Sequence, residues 1–256
     1  MLLVIVAVAV IVYRLALLRG LALAVGIDAT WRRARPSVIA YVAAAPATFA
    51  YVAIVATTTW VLAGVTTGTA QAILHQHSSN LHELGTNPLK ALVRSAFLLD
   101  DYAQLASTIL LALVLAPVER WLGTARWLLV FAAGHAGATL ATALAIWVAI
   151  RTGHASKNLE TTVDVGVSYG FAAVGGILTW GLARRSARAW AFGISALLMA
   201  ALVLSHTFTD VGHLVAFAIG LGLRGLARQS TGDVPPDPLA AMGRAAGRLR
   251  HRPPRG

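Results

Sequence analysis

DVGVSYGFAAVGGIL, residues 164–178, sets a serine in a Gly-x-Ser-x-Gly frame, and no charged residue follows Asp164 until Arg184. In a strand–turn–helix elbow such a frame exposes a nucleophile. No strand pattern precedes it here and no alternating α/β pattern surrounds it, so the elbow reading fails. What remains is an apolar helix in which Ser168 is either a nucleophile held within a membrane or a small residue that lets helices pack closely.

The surrounding composition decides for the membrane. Of the 256 residues, 57% are hydrophobic and 12% charged, whereas a soluble domain carries about a quarter charged. The chain is an all-α polytopic membrane protein. It has no cysteine, which removes disulfides and thiolate metal sites. A net charge of +11 would suit nucleic acid, but the charges lie in short clusters between apolar runs. That is how membrane topology is written, so no nucleic-acid partner is expected. Basic charge is almost all arginine, with only Lys90 and Lys157 as lysines, and alanine is abundant, a composition typical of high-GC bacterial chains.

Six runs approach the ~20 apolar residues of a bilayer span: 38–64, 102–118, 127–150, 165–183, 190–206 and 211–227. A further apolar stretch, 2–25, is interrupted by Arg14 and Arg19 and lacks the ends of a signal peptide. It reads as an extra span or an upstream extension. Arg32, Arg33 and Arg35 precede the first main run, Arg120 and Arg126 follow the second, and Arg184, Arg185 and Arg188 follow the fourth. Arginines recur again after the sixth, while the alternate loops hold only Lys90, Arg94, Arg151 and Lys157. This alternation puts residues 31–37 and the C-terminus in the cytoplasm of a bacterial plasma-membrane protein. The expected organisation is an N-terminal apolar segment and basic linker over 1–37, a membrane domain over 38–227 and a basic disordered tail over 228–256. Within the outer segment 65–101, LKALVRSAFLL after Asn87-Pro88 has the spacing of an amphipathic helix lying in the interface.

Polar residues inside the spans point to chemistry. Ser168 lies four residues past Asp164, ~6 Å along its helix, and His213 lies three past Asp210, ~4.5 Å along another. Both helices enter from the outer side, so the two residues reach similar depth. Serine attacks only after a base takes its proton, and histidine titrates near neutrality. Pairs of small residues four apart, Gly166 with Gly170, Ala172 with Gly176 and Ala216 with Gly220, would let the two helices approach closely enough for contact.

In this order of elements the chain resembles the rhomboid superfamily of intramembrane serine proteases. Glu119-Arg-Trp-Leu-Gly123 resembles the family's Glu-x-x-x-Gly loop. Gly166-x-Ser168, with Ala173 and Gly176, resembles its nucleophile helix, and His213 with Ala216 and Gly220 resembles its His-x-x-Gly-x-x-x-Gly, alanine replacing the first glycine. The resemblance, over 38–227, implies a six-helix bundle in which Ser168 is the nucleophile and His213 the general base. It also implies transmembrane protein substrates cut near the outer face, with no metal or organic cofactor. Two departures go with it. The family's His-x-x-x-Asn, an oxyanion contact, falls on Ala103 and Ser107. The glycine after the nucleophile is Tyr169, and the tyrosine one turn further is Ala172. These departures fit the alternative, a catalytically inactive relative that binds transmembrane clients.

Several residues carry secondary roles. Ser107, His135 and Tyr169 are expected as oxyanion contacts or supports of the pair. Asp164 and Asp210 are expected to cap helix ends, and Asp210 is also close enough in sequence to orient His213. His135, near the midplane, reads more simply as a structural hydrogen bond between helices. His75, His77, His82 and Glu83 lie in a solvated outer loop without an HExxH frame, so no metal site is expected there.

Overall fold

The computed structural model describes residues 2–165 and 167–230, and these divide into two compact units that meet between Ala44 and Ala45. The first holds α1 (Leu2–Leu18) and α2 (Ala22–Ala43), which turn by 103° at their junction. Gly20 makes that turn, with φ at +65°. Its N–H bonds the Leu17 carbonyl and the Leu21 N–H bonds that of Ala16, each at 3.0 Å. This 6→1, 5→2 pattern ends helices at a left-handed glycine. Arg32, Arg33 and Arg35, expected in a linker, lie within α2, where Arg32 pairs with Asp28 one turn back at 2.6 Å.

The second unit begins with α3 (Pro46–Ala63), followed by three short helices, α4 (Thr67–His77), α5 (Leu81–Thr86) and α6 (Pro88–Ser95). Side chains of Thr66, Asn80 and Asn87 cap these in turn. At eight residues α6 cannot cross a bilayer. It buries Ala91 and Ser95 while exposing Leu89 and Val93. The long helices α7 (Gln104–Leu122) and α8 (Thr124–Arg151) follow. Then come a 3-10 turn at Lys157–Thr161, α9 (Val167–Leu178), a second 3-10 turn at Thr179–Gly181, α10 (Arg184–Ser205), α11 (Phe208–Gly222) and α12 (Arg224–Arg228). Among the described residues there is no strand.

Five helical stretches are long and apolar enough to cross a membrane: α3, α7, α8, α10 and α11 with α12, and the bent α1–α2 pair would make a sixth. The run at 165–183 is not among them, because its α-helix is only 12 residues long. That helix, α9, is instead the centre of the bundle, packed chiefly against α8 and α11. Ten of its 12 residues are buried, Phe171, Ala173, Val174 and Ile177 almost completely. The apolar window of α10, by contrast, has no buried residue.

Two features fix where the central helices sit. A Cβ on Gly176 would lie 2.3 Å from the Phe217 carbonyl oxygen, and one on Gly220 would lie 2.0 Å from that of Ala173. Backbone touches backbone along this α9–α11 seam, which only glycine permits. The other feature is Glu119, 1% exposed near the end of α7. Its carboxylate accepts from Ala47 N–H at 2.9 Å, from both N–H and hydroxyl of Thr48 at 2.8 Å, and from Thr124 Oγ1 at 2.8 Å. One buried carboxylate thus caps the first turn of α3, where a negative charge suits the helix dipole, and ties it to the Thr124 hydroxyl at the start of α8. Gly123, at φ +82°, turns the chain between α7 and α8. Gly166 and residues beyond 230, which include most of the expected tail, lie outside the described residues.

Candidate active site

Ser168 is the second residue of α9 and His213 the sixth of α11. The seam described above brings these turns together, and Ser168 Oγ lies 2.8 Å from His213 Nε2. With Nε2 unprotonated, the hydroxyl donates and the imidazole stands ready to take its proton.

Tyr169 supports the imidazole from behind. Its ring meets that of His213 edge to face, with centroids 5.2 Å apart and planes at 71°. The tyrosine is 1% exposed, and a Cβ on Gly212 would come within 2.5 Å of its ring. Gly212 is therefore what admits Tyr169 against α11. The phenol donates to Asp164 Oδ1 at 3.3 Å. Asp164, in the connection before α9, is held from the far side by Ser79, whose hydroxyl donates to Oδ2 at 3.2 Å and whose N–H donates to the Asp164 carbonyl at 2.8 Å. A chain of contacts thus runs Ser79–Asp164–Tyr169–His213–Ser168. Burial pushes the Asp164 carboxyl up to about 6, against the hydrogen bonds from Ser79 and Tyr169 and with help from the nearby charge of Asp100.

The other expected residues fall elsewhere. Asp210 is the third residue of α11 and completes a capping box with Thr207, accepting also from the Ser205 hydroxyl. Among the described residues it makes no hydrogen bond to His213. His135, buried in α8, donates from Nε2 to the Leu92 carbonyl at 2.8 Å and lies 3.4 Å from Ser95 Oγ, so it ties α8 to α6. Ser107 is exposed and returns its hydroxyl to the Gln104 carbonyl at 2.8 Å, and Ala103 is an exposed N-cap. Of the packing residues, Gly170 lies against the Phe131 ring, while Gly176, Ala216 and Gly220 form or flank the seam. His75 and His77, expected in a loop, lie instead in the last turn of α4 and bond the Thr161 and Ile73 carbonyls through Nδ1, at 3.1 and 2.9 Å. No group of three or more potential metal ligands occurs among the described residues.

Sequence reasoning missed the Ser79–Asp164 junction and, although it named Tyr169 as a support of the pair, the edge-to-face contact of its ring with His213. The only signal for the latter was an aromatic residue beside the serine, facing a glycine beside the histidine.

A multi-pass helical membrane protein with a serine and a histidine in contact between two central helices is the class that fold and site define. The family model described as "Rhomboid-like protein" matches residues 40–233. The chain belongs to the rhomboid-like family. No curated protein and no solved structure matches it.

Proposed function

We propose that the protein is an intramembrane serine protease that cleaves transmembrane substrates near the outer face of a bacterial plasma membrane, its C-terminus in the cytoplasm. The observation that carries this reading is the 2.8 Å contact between Ser168 Oγ and His213 Nε2. His213 takes the hydroxyl proton as Oγ attacks the scissile carbonyl carbon, then gives it to the leaving amine nitrogen. Water deprotonated by the same imidazole releases the acyl group, and Ser168 recovers its proton. Tyr169 keeps the imidazole from turning away between steps. The first-turn N–H groups of α9 have no carbonyl one turn back within their helix, which makes them the donors on offer to the oxyanion.

The test is labelling of the purified protein by a fluorophosphonate, beside Ser168→Ala and His213→Ala. Labelling of the wild type alone is the expected result. A folded wild type that does not label would favour the second reading, a client-binding protein without proteolysis. That reading draws on the exposed Ala103 and on Ser107, whose hydroxyl is taken up by the Gln104 carbonyl, so neither position offers an oxyanion a side-chain donor. Losing one such donor costs about 100- to 1,000-fold in rate.

A further inference from the structure

Beyond the Ser168–His213 pair, the Asp164 carboxyl opens into a cavity of 380 Å³ walled by the outer end of α8, the connection before α9 and the turn between α10 and α11. The volume falls within the ~300–1,000 Å³ range of ligand pockets. Its walls are of two kinds. Ile146, Leu159 and Phe208 are apolar, whereas Asn80 and Thr209 bring hydrogen-bonding groups. Neither member of the pair lines it, but Thr209 does, one helical turn or ~6 Å before His213 along α11.

Asp164 is the feature that needs explaining. Asp164 is half-buried, and a carboxylate largely withdrawn from water normally has a cation beside it. Here, among the described residues, its oxygens receive two long hydrogen bonds, both from neutral hydroxyls, 3.3 Å from Tyr169 and 3.2 Å from Ser79. The one ion pair among the described residues is Arg32–Asp28, in the other unit. Asp100 adds a second negative charge close enough to be felt at Asp164. The site therefore has an apolar sleeve, a carboxylate at its wall and a further carboxylate nearby, and His206, in the turn between α10 and α11, is the only basic residue among those that line it.

The geometry points to this cavity as a subsite for a cationic side chain, a lysine or arginine of the bound transmembrane protein, with its methylene stem against Ile146 and Phe208 and its charged head on Asp164. Building on the protease reading, that side chain belongs to a residue close to the scissile bond, because a single aromatic ring, Tyr169, separates Asp164 from His213. Long basic side chains suit such a mixed wall, since they bury their stems while the head keeps its partner. A buried ion pair of this sort discriminates because the wrong guest leaves the carboxylate alone.

The first measurement does not depend on catalysis. The melting temperature of the full chain in detergent is followed with 6-aminohexanamide and with hexanamide, for the wild type, Asp164→Asn and Ile146→Lys. The cationic amide alone should raise the wild-type value, and both substitutions should abolish the response, the second by filling the cavity with a tethered ammonium. The second measurement compares two fluorophosphonates of equal length, one ending in an ammonium and one in a methyl group. The cationic probe should label the wild type ~10-fold faster, which at 1.4 kcal/mol per tenfold lies within the reach of a close charge pair. That ratio should collapse in both variants. Equal melting responses to the two amides, or a cationic preference that survives in folded Asp164→Asn, would overturn the subsite. A selective melting response with no labelling by either probe would instead overturn the protease reading and leave the cavity as a cation pocket for clients.

Discussion

Ser168 and His213 could be paired from the sequence because each stands alone on its helix at a similar depth from a flanking aspartate. What that reading could not supply was the ring between them and Asp164. The raised proton affinity of Asp164 sets a pH dependence for the fold, and its sign is fixed. The carboxyl holds its proton more tightly in the folded protein, about 6, than the ordinary 3.8. The stability it contributes is complete below about 3.8 and is lost as pH rises through about 6. At ~1.4 kcal/mol for each tenfold in proton affinity, the loss amounts to roughly 3 kcal/mol. Melting temperatures recorded from pH 4 to 8 should fall across that window for the wild type and stay flatter for Asp164→Asn. A wild-type profile as flat as that of the variant would refute this. The Ser79–Asp164 junction was invisible beforehand because it joins residues 85 apart in two irregular segments, where no periodicity marks a partner. His135 was legible as an interhelical hydrogen bond, but not its partner, the Leu92 carbonyl, since any backbone oxygen looks alike in a sequence.

Among the elements, α9 illustrates how composition and length separate. Its apolar run reads as a span because a helix enclosed by other helices is as apolar as one facing lipid. Only the observed extent of 12 residues, ~18 Å of rise, shows that it is enclosed and stops short of the ~30 Å hydrocarbon core. The seam with α11 was legible from residues spaced by four, and the structure adds its tightness. Gly220→Ala places a methyl 2.0 Å from a backbone oxygen that cannot rotate aside. We expect it to cost about 1–3 kcal/mol or more by forcing the helices apart. Fluorophosphonate labelling should fall with it, because the same seam holds Ser168 against His213. Gly222→Ala, where a Cβ meets nothing within 4 Å, is the control and should leave both melting and labelling unchanged.

For the whole molecule, the apolar helices and the match over 40–233 describe the same multi-pass rhomboid-like bundle. The Glu-x-x-x-Gly signature was readable as the end of a span, but its work is wider. Glu119→Ala would strand the first-turn donors of α3 and the Thr124 hydroxyl in a buried site. Each orphaned donor costs about 1–3 kcal/mol, so unfolding by a denaturing detergent should begin well below the wild-type midpoint. A midpoint within error of the wild type would show that other groups or water satisfy those donors.

The same carboxylate has a consequence for how the chain is made. Ala47 and Glu119 are 72 residues apart in sequence, so α3 leaves the ribosome long before its anchor exists. At ~5–20 residues per second the wait is ~4–14 s. During it, the start of α3 has no permanent partner for its amides. Its first turn must stay in the wet headgroup layer or in the keeping of the insertion machinery, and the bundle can close only when α7 arrives.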